Sequence, residues 1–486
     1  MLEHALELST RRRIDLLERR ATRRGPRAGS AAREGEQPGA RQQQPQSDPQ
    51  QSTHAPSLAL PAAEARAAEA SLCTAVRALS FVQRGTGSSR ARREYEWAPR
   101  VSTAAARTPL RAYTRRVFSV KLPRRLLLGP GPSNVHPRVL AAMSQPLVGH
   151  LDPAFLAVLD EVQSRLRGLF GTRNALTLPL SGTGSAGMEA CFVNLVEPGD
   201  EVLVGVAGVF GERMCEVARR QGARVTRVEA EPGTPLDAEA MADAIRRVRP
   251  ALVAFVHAET STGVLQPVAE IARAAQDVGA IVILDCVTSL GGIPVEIDAW
   301  GVDVAYSGTQ KCLSCPPGLS PFTIGERALA RVRARRTPVT SWYLDLTLLS
   351  GYYGGERVYH HTAPISAIVG LAESLRMIDA EGMPARSARH TSAAAALVDG
   401  MAALGFEPLV AEACRLPTLT ALRLPDRVLR RGEAAVRRAL LSRYGIEVGG
   451  GLGKLAGQIW RVGLMGENAR LIHVEALLFA LRRELA

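Results

Sequence analysis

The sequence predicts an α/β protein, a mostly parallel sheet covered by helices, with a smaller α+β domain towards its C-terminus. Three observations carry that prediction. From about residue 118 short, continuously apolar segments recur: ALTLPLS (175–181), EVLVGV (201–206), ALVAFVH (251–257), AIVILDCV (280–287) and VDVAYSG (302–308). Strands apolar along their whole length are buried on both faces, as in a parallel sheet between two helical layers. Helical stretches of mixed polarity separate them, at 184–196, 214–222 and 268–279, and this alternation is that of βαβ units. Beyond about residue 380 the pattern turns helix-rich with fewer strands, such as TLTALRLP (418–425). Residues 118–380 are therefore assigned to an N-terminal arm and a large domain, and 381–486 to a small one. No internal repeat stands out.

The first 117 residues differ in texture. They are rich in Arg, Ala, Gln, Ser and Pro, as in QPGARQQQPQSDPQQSTHAPS (37–57), with little sustained apolar periodicity. Such a composition predicts an extension that is mostly disordered. The chain's net charge of +13 is concentrated there: 21 Arg against 11 acidic residues, leaving +3 for the remainder. Arg-rich low-complexity sequence is commonly just solvated, and no helix-turn-helix pattern is visible in it, so neither nucleic-acid binding nor a DNA-binding regulator is expected. A presequence would be poorer in acidic residues. Cytoplasm is the expected compartment, with the mitochondrion as alternative if residues 1–117 act as a presequence. No run of ~18 apolar residues suggests a membrane span. The seven cysteines are scattered and read as reduced thiols.

Chemistry-bearing residues sit where the strands end. Ligands of an open parallel sheet bind beyond the C-terminal ends of its strands. After ALTLPLS comes Gly182-Thr183-Gly184-Ser185 and then a helix. A small-residue loop opening a helix offers free N–H groups and the positive end of the helix dipole to a phosphate, although Ser and Thr also simply cap helices. Asp285 ends AIVIL, where a carboxylate among apolar residues needs a partner. One such partner is a pyridine nitrogen kept protonated so that the ring is a better electron sink. Lys311 follows VDVAY within YSGTQK (306–311). Of the chain's 60 basic residues, Lys121, Lys311 and Lys454 are the lysines, and arginine cannot form an imine. Burial would leave the Lys311 amine neutral and nucleophilic. Phosphate loop, Asp and Lys at three strand ends, in this order, fit pyridoxal 5'-phosphate.

Longer motifs sharpen this reading. LLLGPGPSN (126–134), GHLDP (149–153), HAETSTGVLQP (257–267), LDCVTSLGG (284–292), YSGTQK (306–311) and YHHTAP (359–364) resemble the alanine–glyoxylate / serine–pyruvate aminotransferases, class V enzymes of the fold-type I pyridoxal-phosphate group. The resemblance runs from about residue 122 to the C-terminus. It implies that Lys311 carries the cofactor as an imine and shuttles a proton, and that Asp285 pairs with the ring nitrogen. Thr183, Gly184 and Ser185 would hold the phosphate, with Gln310 close by. Thr260 would stand near the phenolic oxygen and Phe210 would stack on the ring, where animal members carry Trp. Tyr359 and Thr362 would reach across a homodimer interface to the neighbour's phosphate. Arg461 would bind the substrate carboxylate as a bidentate pair, and Gly131 would wall the substrate pocket. The implied reaction moves the amino group of alanine or serine to glyoxylate or pyruvate in two half-reactions with ping-pong kinetics.

Other features read more plainly. Cys312 and Cys315 have CxxC spacing but no second pair to complete a zinc site, so no metal is expected. His360 and His361 are expected to support or line an interface, and His150 and Asp152 to shape the pocket entrance. Cys414, which would be the attacking thiol of a cysteine desulfurase, is expected to be an ordinary core or surface cysteine instead. The alternatives within the fold are a 2-aminoethylphosphonate–pyruvate aminotransferase, a phosphoserine aminotransferase and a cysteine desulfurase. A nicotinamide dehydrogenase would need an acidic residue after EVLVGVAG, and none is there.

Overall fold

The computed structural model describes residues 122–486; the expectation for residues 1–117 lies outside them. A short strand, β1 (Leu126–Leu128), leads into helices α1 (Pro137–Met143) and α2 (Pro153–Phe170). Local sequence sets both ends of α2. Asp152 accepts from the Ala154 N–H at 2.8 Å with Pro153 behind it, and Gly171 closes the helix at φ 61°.

Strands and helices then alternate. In order come β2 (Leu176–Ser181), α3 (Gly184–Leu195), β3 (Glu201–Val206), α4 (Val209–Arg220), β4 (Arg224–Glu229), α5 (Ala238–Val248) and β5 (Leu252–Val256). A small hairpin, β6 (Ala258–Glu259) with β7 (Val264–Leu265), precedes α6 (Val268–Asp277), β8 (Ile281–Asp285), α7 (Ile297–Trp300), β9 (Val304–Tyr306) and β10 (Leu319–Ile324). Seven of these strands form one sheet in the order β2-β10-β9-β8-β5-β3-β4. β10 is antiparallel to both neighbours and the other pairings are parallel, so β10 alone in this sheet runs backwards. Its central strands are buried throughout, while β4 is half-exposed along the edge.

Helices α8 (Glu326–Arg333), α9 (Leu346–Tyr353) and α10 (Ile365–Glu381) complete the cover of this sheet. The long α11 (Met383–Ala402) opens a second layer with β11 (Glu407–Pro408), β12 (Leu419–Arg423), α12 (Asp426–Arg431), α13 (Glu433–Ala439), β13 (Ile446–Gly450), β14 (Ile459–Gly463) and α14 (Leu471–Leu485). Its sheet has the order β1-β13-β14-β12-β11. β1, from the opposite end of the described chain, pairs parallel with β13, Leu126 opposite Ile446. Two large apolar cores result among the described residues, one on the faces of the seven-stranded sheet and one between the second sheet, α11 and α14, with a small third cluster of Ala258, Ile293, Leu416 and Leu419.

Three elements depart from the sequence reading. β4 (RVTRVE) and β10 (LSPFTI) carry no continuous apolar run and were not expected as strands. α4 begins at Val209, five residues ahead of the expected 214, because its cap comes from a distant residue described below.

Candidate active site

Since all strands but β10 run one way in the large sheet, their C-terminal ends collect at a single edge. Thr183-Gly184-Ser185 follow β2, Phe210 follows β3, Thr260 follows β5, Asp285 closes β8 and Lys311 follows β9. The fold thus brings to one edge the residues that the motifs scatter over 130 positions of sequence.

Lys311 lies folded against the backbone of the 129–133 loop. Its amine donates to the Pro130 carbonyl, and a Cβ at Gly131 would stand 2.7 Å from Nζ. Gly131 also holds φ at 112°, where a side chain is strained. Both lysine and loop are pinned: Ser133 N–H donates to the Gln310 carbonyl at 2.8 Å, and Ser133 Oγ–H to the Lys311 carbonyl at 2.7 Å. Burial pulls the Lys311 amine down to about 8, with the Arg461 charge acting in the same direction and Asp285 opposing it. A neutral amine is therefore available near neutral pH.

Asp285 is buried with both oxygens engaged. Oδ1 accepts from the Val287 N–H at 2.8 Å and Oδ2 from the Tyr306 hydroxyl at 2.8 Å. Burial raises its carboxyl to about 6, against the pull of these two donors. Proton exchange with a bound heterocyclic base would need little driving force at such a group.

The N-terminus of α3 is open. Thr183 occupies its N-cap position without a side-chain cap bond, so the first N–H groups of the helix are left to a ligand. Thr183 and Ser185 are exposed, whereas Gly184 is buried, and a Cβ there would fall 2.8 Å from Val287 Cγ2. Beside Gly308, Gln310 Oε1 is buried with no partner. Turned about its amide, the same side chain would offer N–H to an anion.

Arg461 reaches this edge from the middle of β14. It is buried, its Nε donates to the Gly450 carbonyl at 2.8 Å and its Nη1 to the Thr260 carbonyl at 3.2 Å. Burial lowers its pKa, and no carboxylate of the described residues forms a salt bridge with it. A guanidinium in this state attracts a ligand carboxylate. Thr260 itself is buried and shares a hydrogen bond between hydroxyls with Thr288. Phe210 sits half-buried in the first turn of α4, the Arg213 guanidinium 4.9 Å from its ring centre.

Residues the motifs did not flag complete the site. Ser261 Oγ accepts from the Val209 N–H at 3.0 Å and its hydroxyl donates to Glu259 Oε1 at 2.6 Å. It thereby caps α4 and fixes the turn that bears Phe210. Glu259 is fully buried, with Oε2 unpartnered and its carboxyl raised by that burial. Tyr306, Glu259, Ser261 and Thr288 were all within motifs already read. The available signal was register: Asp285 and Tyr306 each end an apolar strand, and parallel pairing sets them side by side.

Tyr359 and Thr362 are exposed on this chain's surface, the Tyr359 ring 5.2 Å from that of His150. His360 and His361 pack on Trp342 and Tyr343, ring centres 4.2 and 4.3 Å apart. Asp152 caps α2, its Oδ1 accepting from the Ala154 N–H. Burial pushes the Cys312 thiol to about 11 and Cys315 to about 12, which agrees with packing. Cys414 is half-buried in a single 3-10 turn.

Comparison with known proteins places this geometry among relatives. A family model described as aminotransferase class-V matches residues 125–459. The (S)-ureidoglycine–glyoxylate transaminase of Bacillus subtilis is 39% identical over 366 residues, covering 72% of this chain and 87% of that protein. An alanine–glyoxylate aminotransferase of Oryctolagus cuniculus is 39% identical over 367 residues, covering 75% and 93%. The crystal structure of an alanine–glyoxylate aminotransferase from Nostoc sp. superposes with a TM-score of 0.74 at 50% identity, over 76% of this chain and 98% of that one.

Proposed function

Because the chain belongs to the class-V aminotransferases, pyridoxal-phosphate-dependent enzymes that act on amino and 2-oxo acids, we propose that it moves the amino group of alanine or serine to glyoxylate or pyruvate. The observation that carries the substrate class is Arg461, a buried guanidinium in no salt bridge among the described residues, at the same sheet edge as the Lys311 amine. One such clamp fits a substrate with a single α-carboxylate. All three relatives named above act on glyoxylate by their names, which supports it as acceptor.

The residues fit the cofactor, which when bound supplies the electron sink that makes the substrate Cα–H acidic. The open α3 N-terminus with Thr183, Gly184, Ser185 and Gln310 would hold its phosphate, Asp285 its ring nitrogen, Thr260 its phenolic oxygen and Phe210 its ring face. Lys311 would anchor it and, once released by the incoming amine, would act as the base that removes the substrate's α-proton and the acid that gives it back. Arg461 keeps the substrate carboxylate fixed while this happens, and Gly131 leaves room for the lysine to swing.

The proposal includes a homodimer with shared sites. Leu147, Val148, Leu151, Trp342, Tyr343, Val358 and Tyr359 are all at least 40% exposed, and ring contacts tie their segments together through His150, His360 and His361. An apolar surface of this kind favours burial against a second copy. That contact would deliver Tyr359 and Thr362 to the neighbour's phosphate.

The test is the visible spectrum of the purified protein, with and without L-alanine, beside Lys311→Ala. A visible band that bleaches with alanine and is missing in the variant is expected. A band indifferent to alanine and serine would move the assignment to a 2-aminoethylphosphonate donor or to sulfur removal from cysteine. A protein that stays colourless with added cofactor would overturn the reading.

A further inference from the structure

We propose that Tyr306 is a positioning residue for the cofactor ring, acting through Asp285. The inference rests on the reading above in one respect, that Asp285 meets the ring nitrogen. Tyr306 is completely buried at the end of β9, directly opposite Asp285 in the parallel register, and its hydroxyl donates to Asp285 Oδ2 at 2.8 Å. The backbone repeats the link, since Cys286 N–H donates to the Tyr306 carbonyl at 2.8 Å. With Val287 N–H on Oδ1, the carboxylate is held from both sides, so its plane and the direction of its remaining lone pairs are fixed before a ligand arrives.

The same ring also sets where the phosphate helix lies. A Cβ at Gly187 in α3 would fall 2.8 Å from Tyr306 Cβ and 3.1 Å from Cδ2, so the helix rests directly on the tyrosine. Tyr306 is thus the common neighbour of the group expected to hold the ring nitrogen and the helix expected to hold the phosphate. The other ionisable groups around the pair are Glu259, Lys311, Cys191 and Cys286. Among the described hydrogen bonds the carboxylate's hydroxyl donor is Tyr306. A buried hydroxyl bonded to an ionised acceptor is among the stronger hydrogen bonds in a protein interior.

A positioning role predicts an effect specific to the ring nitrogen. Dissociation constants of the full-length protein are measured for pyridoxal 5'-phosphate and for its 1-deaza analogue, in which C–H replaces the ring nitrogen. The wild type is expected to favour the natural cofactor. Tyr306→Phe should lose that preference by roughly ten-fold or more, the scale of a hydrogen bond to a charged group, with the analogue's affinity changed less than about two-fold. Equal losses for both ligands, or an unchanged preference, would overturn the proposal in favour of a packing role. Equal affinities in the wild type would instead remove the Asp285 contact, and the proposal with it. Site-specific 3-fluorotyrosine at 306, a stronger donor of nearly the same shape, covers the case in which the phenylalanine variant does not fold. It should widen the preference, and a narrowed or unchanged one counts against the proposal.

Discussion

At the scale of single residues the site is a set of ionisable groups removed from water. Asp285 gives the clearest consequence. Burial lifts its carboxyl to about 6, above an unfolded aspartate's ~4, so the native state holds the proton more tightly than the unfolded chain. The stability this provides is complete below about pH 4 and is lost as pH rises through 6. At ~1.4 kcal/mol per pH unit the loss is on the order of 2–3 kcal/mol. Asp285→Asn, measured by urea midpoints of the cofactor-free protein, is expected to gain about that much over wild type at pH 8 and almost nothing at pH 4. Parallel curves for the two proteins would refute this account. Lys311 and Asp285 were legible in the sequence because arginine bias makes a lysine conspicuous and a carboxylate ending an apolar run is costly. Tyr306 and Glu259 were not, because a tyrosine in a strand and a glutamate in a short hairpin look ordinary until the neighbouring strand is in place.

Among elements, legibility followed burial on both faces. β5 is apolar from end to end, β3 and β8 are apolar but for Glu201 and Asp285 at their ends, and all three were read almost to the residue. β10 was missed because Pro321 and two hydroxyl residues interrupt it, although it lies buried between β2 and β9. Proline argues against a central strand in any sequence-based reading. β4 was missed because it is an edge with two arginines. The early start of α4 could not be read locally, since its cap, Ser261, is 52 positions away. Ser261→Ala should cost about 1–2 kcal/mol, the usual value of a helix cap. It should also weaken cofactor retention several-fold by freeing the turn that carries Phe210. Denaturant midpoints and cofactor dissociation rates would check both, and an unchanged dissociation rate would separate the cap from the site.

For the whole molecule, the α/β architecture and the fold-type I class expected from the motifs are those found, with β1's place in the second sheet as the unforeseen detail. The proposed homodimer gives a prediction at this scale. Leu147→Glu, on a residue 72% exposed, is expected to shift the protein to monomers in analytical ultracentrifugation and to lower cofactor affinity in parallel. A monomer that keeps full cofactor affinity would argue against sites shared between copies. The pairing of β1 with β13 carries a different consequence, one of timing. Leu126 leaves the ribosome about 320 residues ahead of Ile446, its partner. At ~5–20 residues per second the delay is on the order of tens of seconds. Through that interval three consecutive leucines have no sheet to join, while the large sheet, whose strands are closer in sequence, can already assemble. The second layer thus closes after the large sheet, and Arg461 on β14 is put in place with it.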